Sequence, residues 1–341
     1  MWKAVLTEPE RFVLEDAPIP APGPDEVILE VKRSGICGSD LHIFHGQSSI
    51  QPPVVLGHEF AGTVYALGDD VAVVAVGDAC VVEPGVPCGH CTYCLSGRYN
   101  LCASQYTIGG YREHDGAYAQ YVRVPSANLI PMPPGMSFDV GAMVEPVACA
   151  MHALDLAQVR EGDTVLIIGA GTIGLLIAQA VRMAGAETAC VSDIVPERLT
   201  LARELGVDAT IDVREADPVA WSQDTYGEGG IRVVIDTATT PRTFSQAQEI
   251  VRRGGRILNV GVATEPVEWQ PNSLWREFEL TGMNMYTRRN FDEARCAIEG
   301  RAIQVEPLIS AVYPLLSIND AYEAIQSRPG DLIKVLLAPN D

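Results

Sequence analysis

The stretch TVLIIGAGTIGLLIAQAVRMAGAETACVSD, residues 164–193, decides how the chain folds. TVLII is a continuous apolar run ending at glycine, TIGLLIAQAVRM has helical periodicity, and TACVSD is a second apolar run ending on Asp193. That order predicts a strand, a tight turn, a helix and a parallel strand, the repeating unit of a doubly wound sheet. Gly169, Gly171 and Gly174 have the G-x-G-x-x-G spacing at the turn, and Asp193 lies 19 residues past the last glycine. In this context the pattern predicts a dinucleotide site. Gly169 allows the turn, Gly171 lets the backbone approach a pyrophosphate, and Gly174 lets helix and strand pack closely. Thr172 and Ile173 open the helix, whose free N–H groups face the phosphates. A carboxylate at Asp193 accepts ribose hydroxyls and repels a 2′-phosphate, which predicts NAD rather than NADP. Arg198 is the opposing sign, read here as a solvated or capping side chain on the helix PERLTLARE.

Outward from this unit the alternation continues through ATIDV, VVIDTA, the helix TFSQAQEIVRRGG, RILNVGV and LTGMNM. Up to about residue 145 the character differs: short strands such as EVILEVKRSG, GTVYAL and AYAQYVRVP are broken by Gly and Pro, a compact, largely β domain. The tail from about Tyr286, with FDEARCAIEG, INDAYEAIQS and DLIKVLLA, is expected to return to that first domain.

At 341 residues the chain is long enough for two domains, each with its own core. Its formal net charge of -20 opposes nucleic-acid backbones and anionic membranes, so a small-molecule partner is expected. No run of about 20 consecutive apolar residues occurs, and the start, MWKAVLTEPERF, lacks a basic segment followed by an apolar one. A soluble cytoplasmic protein is expected.

Four of the nine cysteines, Cys88, Cys91, Cys94 and Cys102, are bunched as C-x2-C-x2-C-x7-C, which favours metal over disulfides. Four thiolates close a tetrahedral zinc and leave no open position, a structural site. An iron–sulfur cluster is the alternative, opposed by the missing C-x3-C-P ending and the β-rich setting. A second set of donors is dispersed. GICGSDLH supplies Cys37, Ser39, Asp40 and His42, VLGHEFAG supplies His58 and Glu59 inside an apolar run, and VEPVACAMH supplies Glu145. Cys37, His58 and one carboxylate meet the needs of a catalytic zinc with one place left for water or substrate.

On the elements CGSDLH, GHEFAGTV, the cysteine run, EP and GAGTIG, in that order over the whole length, the chain resembles the zinc-dependent medium-chain dehydrogenases of the alcohol dehydrogenase superfamily. The resemblance implies an α/β architecture, with a GroES-like β-rich catalytic domain (1–148 and 287–341), a Rossmann NAD-binding domain (149–286), and the active site in the cleft. It implies two zinc ions per chain, one structural and one catalytic. Cys37 and His58 bind the catalytic zinc and Glu59 or Glu145 completes the set, while Ser39 and His42 relay the alcohol proton and Asp40 supports the ligands. It also implies a homodimer or homotetramer, paired through LTGMNM.

Glu59 after His58 and Glu145 before Pro146 resemble the polyol branch, and EPVACAMH departs from the EPLGNAVH form of threonine dehydrogenases. A secondary alcohol of a polyol, cyclitol or vicinal diol is the expected substrate, with L-threonine and 2,3-butanediol as alternatives. Sorbitol itself is disfavoured, because Met285-Tyr286 stands where sorbitol dehydrogenases carry Arg-Tyr, and Ile43 replaces an aromatic. Tyr286, Arg288 and Arg289 are candidate substrate contacts.

Overall fold

The structure, a computed structural model, describes residues 1–111, 114–328 and 330–341, with all their side chains except those of 228 and 274. Two compact units make up the chain: Met1–Glu145 with Leu308–Asp341, and Pro146–Pro307.

In the second unit six strands lie side by side in the order Ala209–Asp212, Thr188–Asp193, Thr164–Ile168, Ile231–Asp236, Val251–Asn259 and Glu279–Gly282. Every pairing is parallel, which requires crossover connections. The central strands Thr164–Ile168 and Ile231–Asp236 have fully buried centres rich in β-branched residues because helices cover both faces of such a sheet. Two sequence-derived boundaries shift. The helix Pro241–Ile250 is shorter than TFSQAQEIVRRGG, because Val251 already begins the next strand. The last strand is Glu279–Gly282, so only the first half of LTGMNM joins the sheet.

The first unit is built on a mixed seven-stranded sheet in the order Ile309–Pro314, Lys334–Ala338, Glu26–Gly35, Glu59–Leu67, Ala79–Val82 and Leu129–Pro131, with Tyr121–Pro125 also paired to Glu26–Gly35. The tail does return: Leu336 and Leu337 pair antiparallel with Gly35 and Ser34. It returns later than expected. The helix Arg288–Glu299, assigned by sequence to the first domain, belongs to the second unit, where Asn290 and Arg289 both bond Asp155. Gln304 similarly exchanges two hydrogen bonds with Gln179.

Among the described residues one stretch, Phe138–Ala157, has the length and composition to cross a membrane, but 72% of its most apolar 18-residue window is buried, as in a core helix.

Gly174 shows how little slack the dinucleotide turn has: a Cβ there would lie 1.8 Å from the Gly169 carbonyl oxygen. Gly174→Ala must push helix and strand apart, and is expected to lower unfolding free energy by about 1–3 kcal/mol in denaturant titration; an unchanged midpoint would contradict this packing.

Candidate functional site

The four-cysteine run forms a loop around the short helix Thr92–Leu95. The sulfurs of Cys88, Cys91, Cys94 and Cys102 all lie within 4.8 Å of one another. Cys88 and Cys94 are 3.8 Å apart and Cys91 and Cys94 3.4 Å. Zinc with sulfur at about 2.3 Å in a tetrahedron needs sulfurs about 3.8 Å apart, so the cage fits the ion. Backbone N–H groups of Cys88 and Cys94 point at the sulfurs of Cys102 and Cys91. Backbone hydrogen bonds at His90 and Cys91 pull the Cys88 thiol down to about 6, while desolvation, then Cys91, pushes Cys94 up to about 12. His90 is exposed, with Nδ1 at 2.7 Å from the Cys88 carbonyl, and is not among the clustered donors.

The second donor set comes from separate segments. Cys37 caps the helix Gly38–Phe44 at the end of strand Glu26–Gly35, while His58 and Glu59 lead into the neighbouring strand Glu59–Leu67. Gly35 and Glu59 are register partners, which brings both segments to one place. Ligand atoms of Cys37, His58 and Glu59 lie within 4.8 Å of one another. Glu145, buried at the start of the helix Val144–Ala157, is outside that cluster, although its charge acts on Lys334.

Sequence reasoning missed Lys334. Its Nζ lies 2.5 Å from Glu59 Oε2 and 3.1 Å from the Ile36 carbonyl, with 3% of the lysine and 1% of the glutamate side chain exposed. Burial alone would depress the lysine pKa, but the charges of Glu59, Cys37 and Glu145 together outweigh it and raise the value, so the ammonium persists. The available signal was a single lysine in the apolar strand DLIKVLLA, since lysine is almost never buried unpaired.

Asp40 is buried, accepts the Cys37 N–H at 3.1 Å, and places Oδ1 3.4 Å from His58 Nδ1. Burial lowers the His58 pKa, but Asp40 and Cys37 outweigh it and hold the value well above the ordinary range. Ser39 and His42 follow on the same helix, both half-buried, with His42 Nδ1 3.2 Å from Gln47 Oε1.

The proposed substrate contacts fare differently. Tyr286 is buried against Phe291, and Arg289 is held by Asp155 and Glu293; both lie in the second unit. Ile43 is 5% exposed and belongs to the apolar core with Phe12 and Phe44. Of the three unassigned histidines, His45 pairs with Glu10, His114 stacks on Tyr106, and His152 lies on the helix Val144–Ala157.

In the second unit a cavity of about 380 Å³ is lined by Gly169, Gly171, Asp193, Arg198 and Arg242, among others. Gly171 caps the helix Thr172–Met183, so the amides of Thr172, Ile173 and Gly174 begin its first turn. A Cβ on Gly171 would meet nothing within 4 Å, which leaves the space for a phosphate. Asp193 accepts the N–H of Ala170 at 2.6 Å and of Val195 at 2.8 Å, and each oxygen keeps a lone pair for a ribose hydroxyl. Arg242, on the helix Pro241–Ile250, was not legible in sequence because it belongs to no spaced motif.

Residues 23–134 match the alcohol dehydrogenase GroES-like domain, and residues 172–299 match the zinc-binding dehydrogenase family. An uncharacterized zinc-type alcohol dehydrogenase-like protein of Escherichia coli strain K12 is 36% identical, covering 99% of each chain. A sorbitol dehydrogenase of Halalkalibacterium halodurans is 34% identical over 97% of this chain and 96% of its own. A solved Escherichia coli oxidoreductase of unknown specificity superposes with a TM-score of 0.94 at 34% identity, covering 100% of this chain and 99% of that one. The chain belongs to the zinc-binding alcohol dehydrogenase family. It is an enzyme of that class.

Two measurements follow from this geometry. Zinc needs a neutral His58 and a Cys37 thiolate, and Asp40 and Cys37 raise the His58 pKa and so favour its protonated form in the metal-free chain. Zinc uptake at pH 7 should release a proton at this site and weaken as pH falls; calorimetry of a Cys88→Ser, Cys91→Ser variant, lacking the thiolate cage, in buffers of different ionisation enthalpy should show it, and buffer-independent heats would contradict it. Lys334→Met strands a buried carboxylate, with an expected loss of about 3–5 kcal/mol in denaturant titration of the metal-free chain. Adding Glu59→Gln should restore most of that loss, and an undiminished loss in the double variant would contradict the pairing.

Proposed function

We propose that the chain oxidises a secondary alcohol of a polyol, cyclitol or vicinal diol to a ketone, with NAD as hydride acceptor. The observation that carries this reading is the convergence of one thiolate, one imidazole and one carboxylate, Cys37, His58 and Glu59, within 4.8 Å. Three donors leave one coordination place, which is what separates a catalytic zinc site from the closed four-cysteine cage. In this reading Glu59 is the third ligand, and Glu145 shapes the charge around Lys334 instead of ligating.

When bound, zinc supplies a Lewis acid that lowers the pKa of the alcohol, and NAD supplies the hydride acceptor. The residues do the remainder. Lys334 offsets the charge of Glu59, so that Cys37 and Glu59 do not together leave the site strongly anionic. Asp40 turns the Nδ1 edge of His58 toward itself and leaves Nε2 for the metal. Ser39 and His42 carry the hydroxyl proton outward toward Gln47. In the nucleotide cavity Asp193 takes the adenosine ribose hydroxyls, and its charge discriminates against a 2′-phosphate despite Arg198 and Arg242 nearby.

The polyol assignment is supported by EPVACAMH and by the likeness to sorbitol dehydrogenase. Tyr286 is buried, Arg289 is paired, and Ile43 stands where sorbitol dehydrogenases carry an aromatic, which favours a substrate with fewer hydroxyls than sorbitol. L-Threonine and 2,3-butanediol oxidation are the second reading. The edge strand Glu279–Gly282, with Leu280 40% exposed, supports pairing between two copies into a homodimer or homotetramer. The four-cysteine cage, which needs its sulfurs as thiolates, supports the reducing cytoplasm as its compartment.

The test is NADH formation on a panel of sorbitol, xylitol, inositols, 2,3-butanediol and L-threonine. Turnover with NAD on a polyol, cyclitol or diol is expected. Activity on threonine alone would overturn the substrate class, and activity with NADP alone would overturn the role of Asp193. On the best substrate, Glu59→Gln should reduce turnover by about tenfold or more; full turnover with full zinc content would return Glu59 to a structural neighbour.

A further inference from the structure

Asp40 is fully buried, and its two oxygens face different partners. Oδ1 faces His58 Nδ1 at 3.4 Å, while Oδ2 accepts the Cys37 N–H at 3.1 Å and the Tyr118 hydroxyl at 2.8 Å. The Tyr118 oxygen lies in turn 3.4 Å from that of Tyr322. Tyr118 is 0% and Tyr322 1% exposed. Both rings pack on Phe12, and Tyr322 also packs on Phe44, at the end of the helix that carries Asp40.

A carboxylate can only accept, so the direction of this chain is determined. Tyr118 donates to Asp40 and keeps a lone pair free for the Tyr322 hydroxyl. Asp40 is left as an acceptor toward the imidazole N–H, the tautomer that presents Nε2 to a metal. Tyr322 lies on the helix Ile318–Ser327, in the segment that returns from the second unit.

Resting on the zinc reading above, we propose that Tyr118 and Tyr322 are positioning residues of the catalytic metal: their hydroxyls pin Asp40, and through it the ring of His58. The last segment of the chain thereby sets the geometry of a ligand that lies far from it in sequence.

The experiment uses full-length protein with zinc in the four-cysteine cage and cobalt(II) in the other site. It records the cobalt visible spectrum and the rate of cobalt loss to a chelator. Tyr118→Phe keeps the ring and removes only the hydroxyl. It should shift the spectrum and speed release about tenfold, the lower end of what residues supporting a metal ligand are worth. Tyr322→Phe, one step farther away, should change both in the same direction by less, and carries the test if Tyr118→Phe does not fold. Wild-type release and spectrum in both phenylalanine variants, with Asp40→Asn altering both, would overturn the proposal. A wild-type chain that gives no cobalt spectrum beyond the cage would instead overturn the metal site itself.

Discussion

A carboxylate and an ammonium group buried together, Glu59 and Lys334, set the condition that the rest of the first unit meets. Neither is stable alone in an apolar interior, since removing one partner leaves an uncompensated charge. Glu59 follows His58, and its strand pairs with Glu26–Gly35; Lys334 begins a strand that pairs with Glu26–Gly35 from its other edge. The ion pair therefore forms only after the final segment has crossed back to the first 145 residues, linking the chain's end to the loop that carries the metal donors.

The two donor sets follow opposite strategies. The four cysteines are local in sequence, so their cage can close around an ion with little help from the rest of the fold. Cys37, His58 and Glu59 meet only through strand register, and Asp40 on the helix after Cys37, together with Tyr118 and Lys334 from two further segments, supports them. Dispersed assembly suits a site that must keep a coordination place open, because surrounding packing, and not a full ligand shell, holds the geometry. It also makes that site more sensitive to distant substitutions than the cage.

Much of this was legible in the sequence for a physical reason: spaced motifs record local geometry. GAGTIG encodes a turn with no room for a side chain at Gly174, and the cysteine spacing encodes a loop that wraps one ion. Contacts between remote segments leave weaker marks. Whether the helix Arg288–Glu299 joins the first or second unit depends on Asp155, more than a hundred residues earlier, and nothing in its amphipathic pattern names that partner. Tyr286 looked like a substrate contact because it stands at the Arg-Tyr position of sorbitol dehydrogenases, yet its ring is core. Lys334 carried the signal of a charged group in an apolar strand, but not the identity of what it serves, and Tyr322 carried none on its amphipathic helix.

The central claim is that one chain holds two metal sites of different kind, one closed and one open. Metal analysis of the purified full-length protein tests it most directly. About two zinc atoms per chain are expected, falling to about one in Cys37→Ser, with the four-cysteine cage still filled. A wild-type chain with one zinc or none, or a Cys37→Ser variant that keeps both, would contradict it.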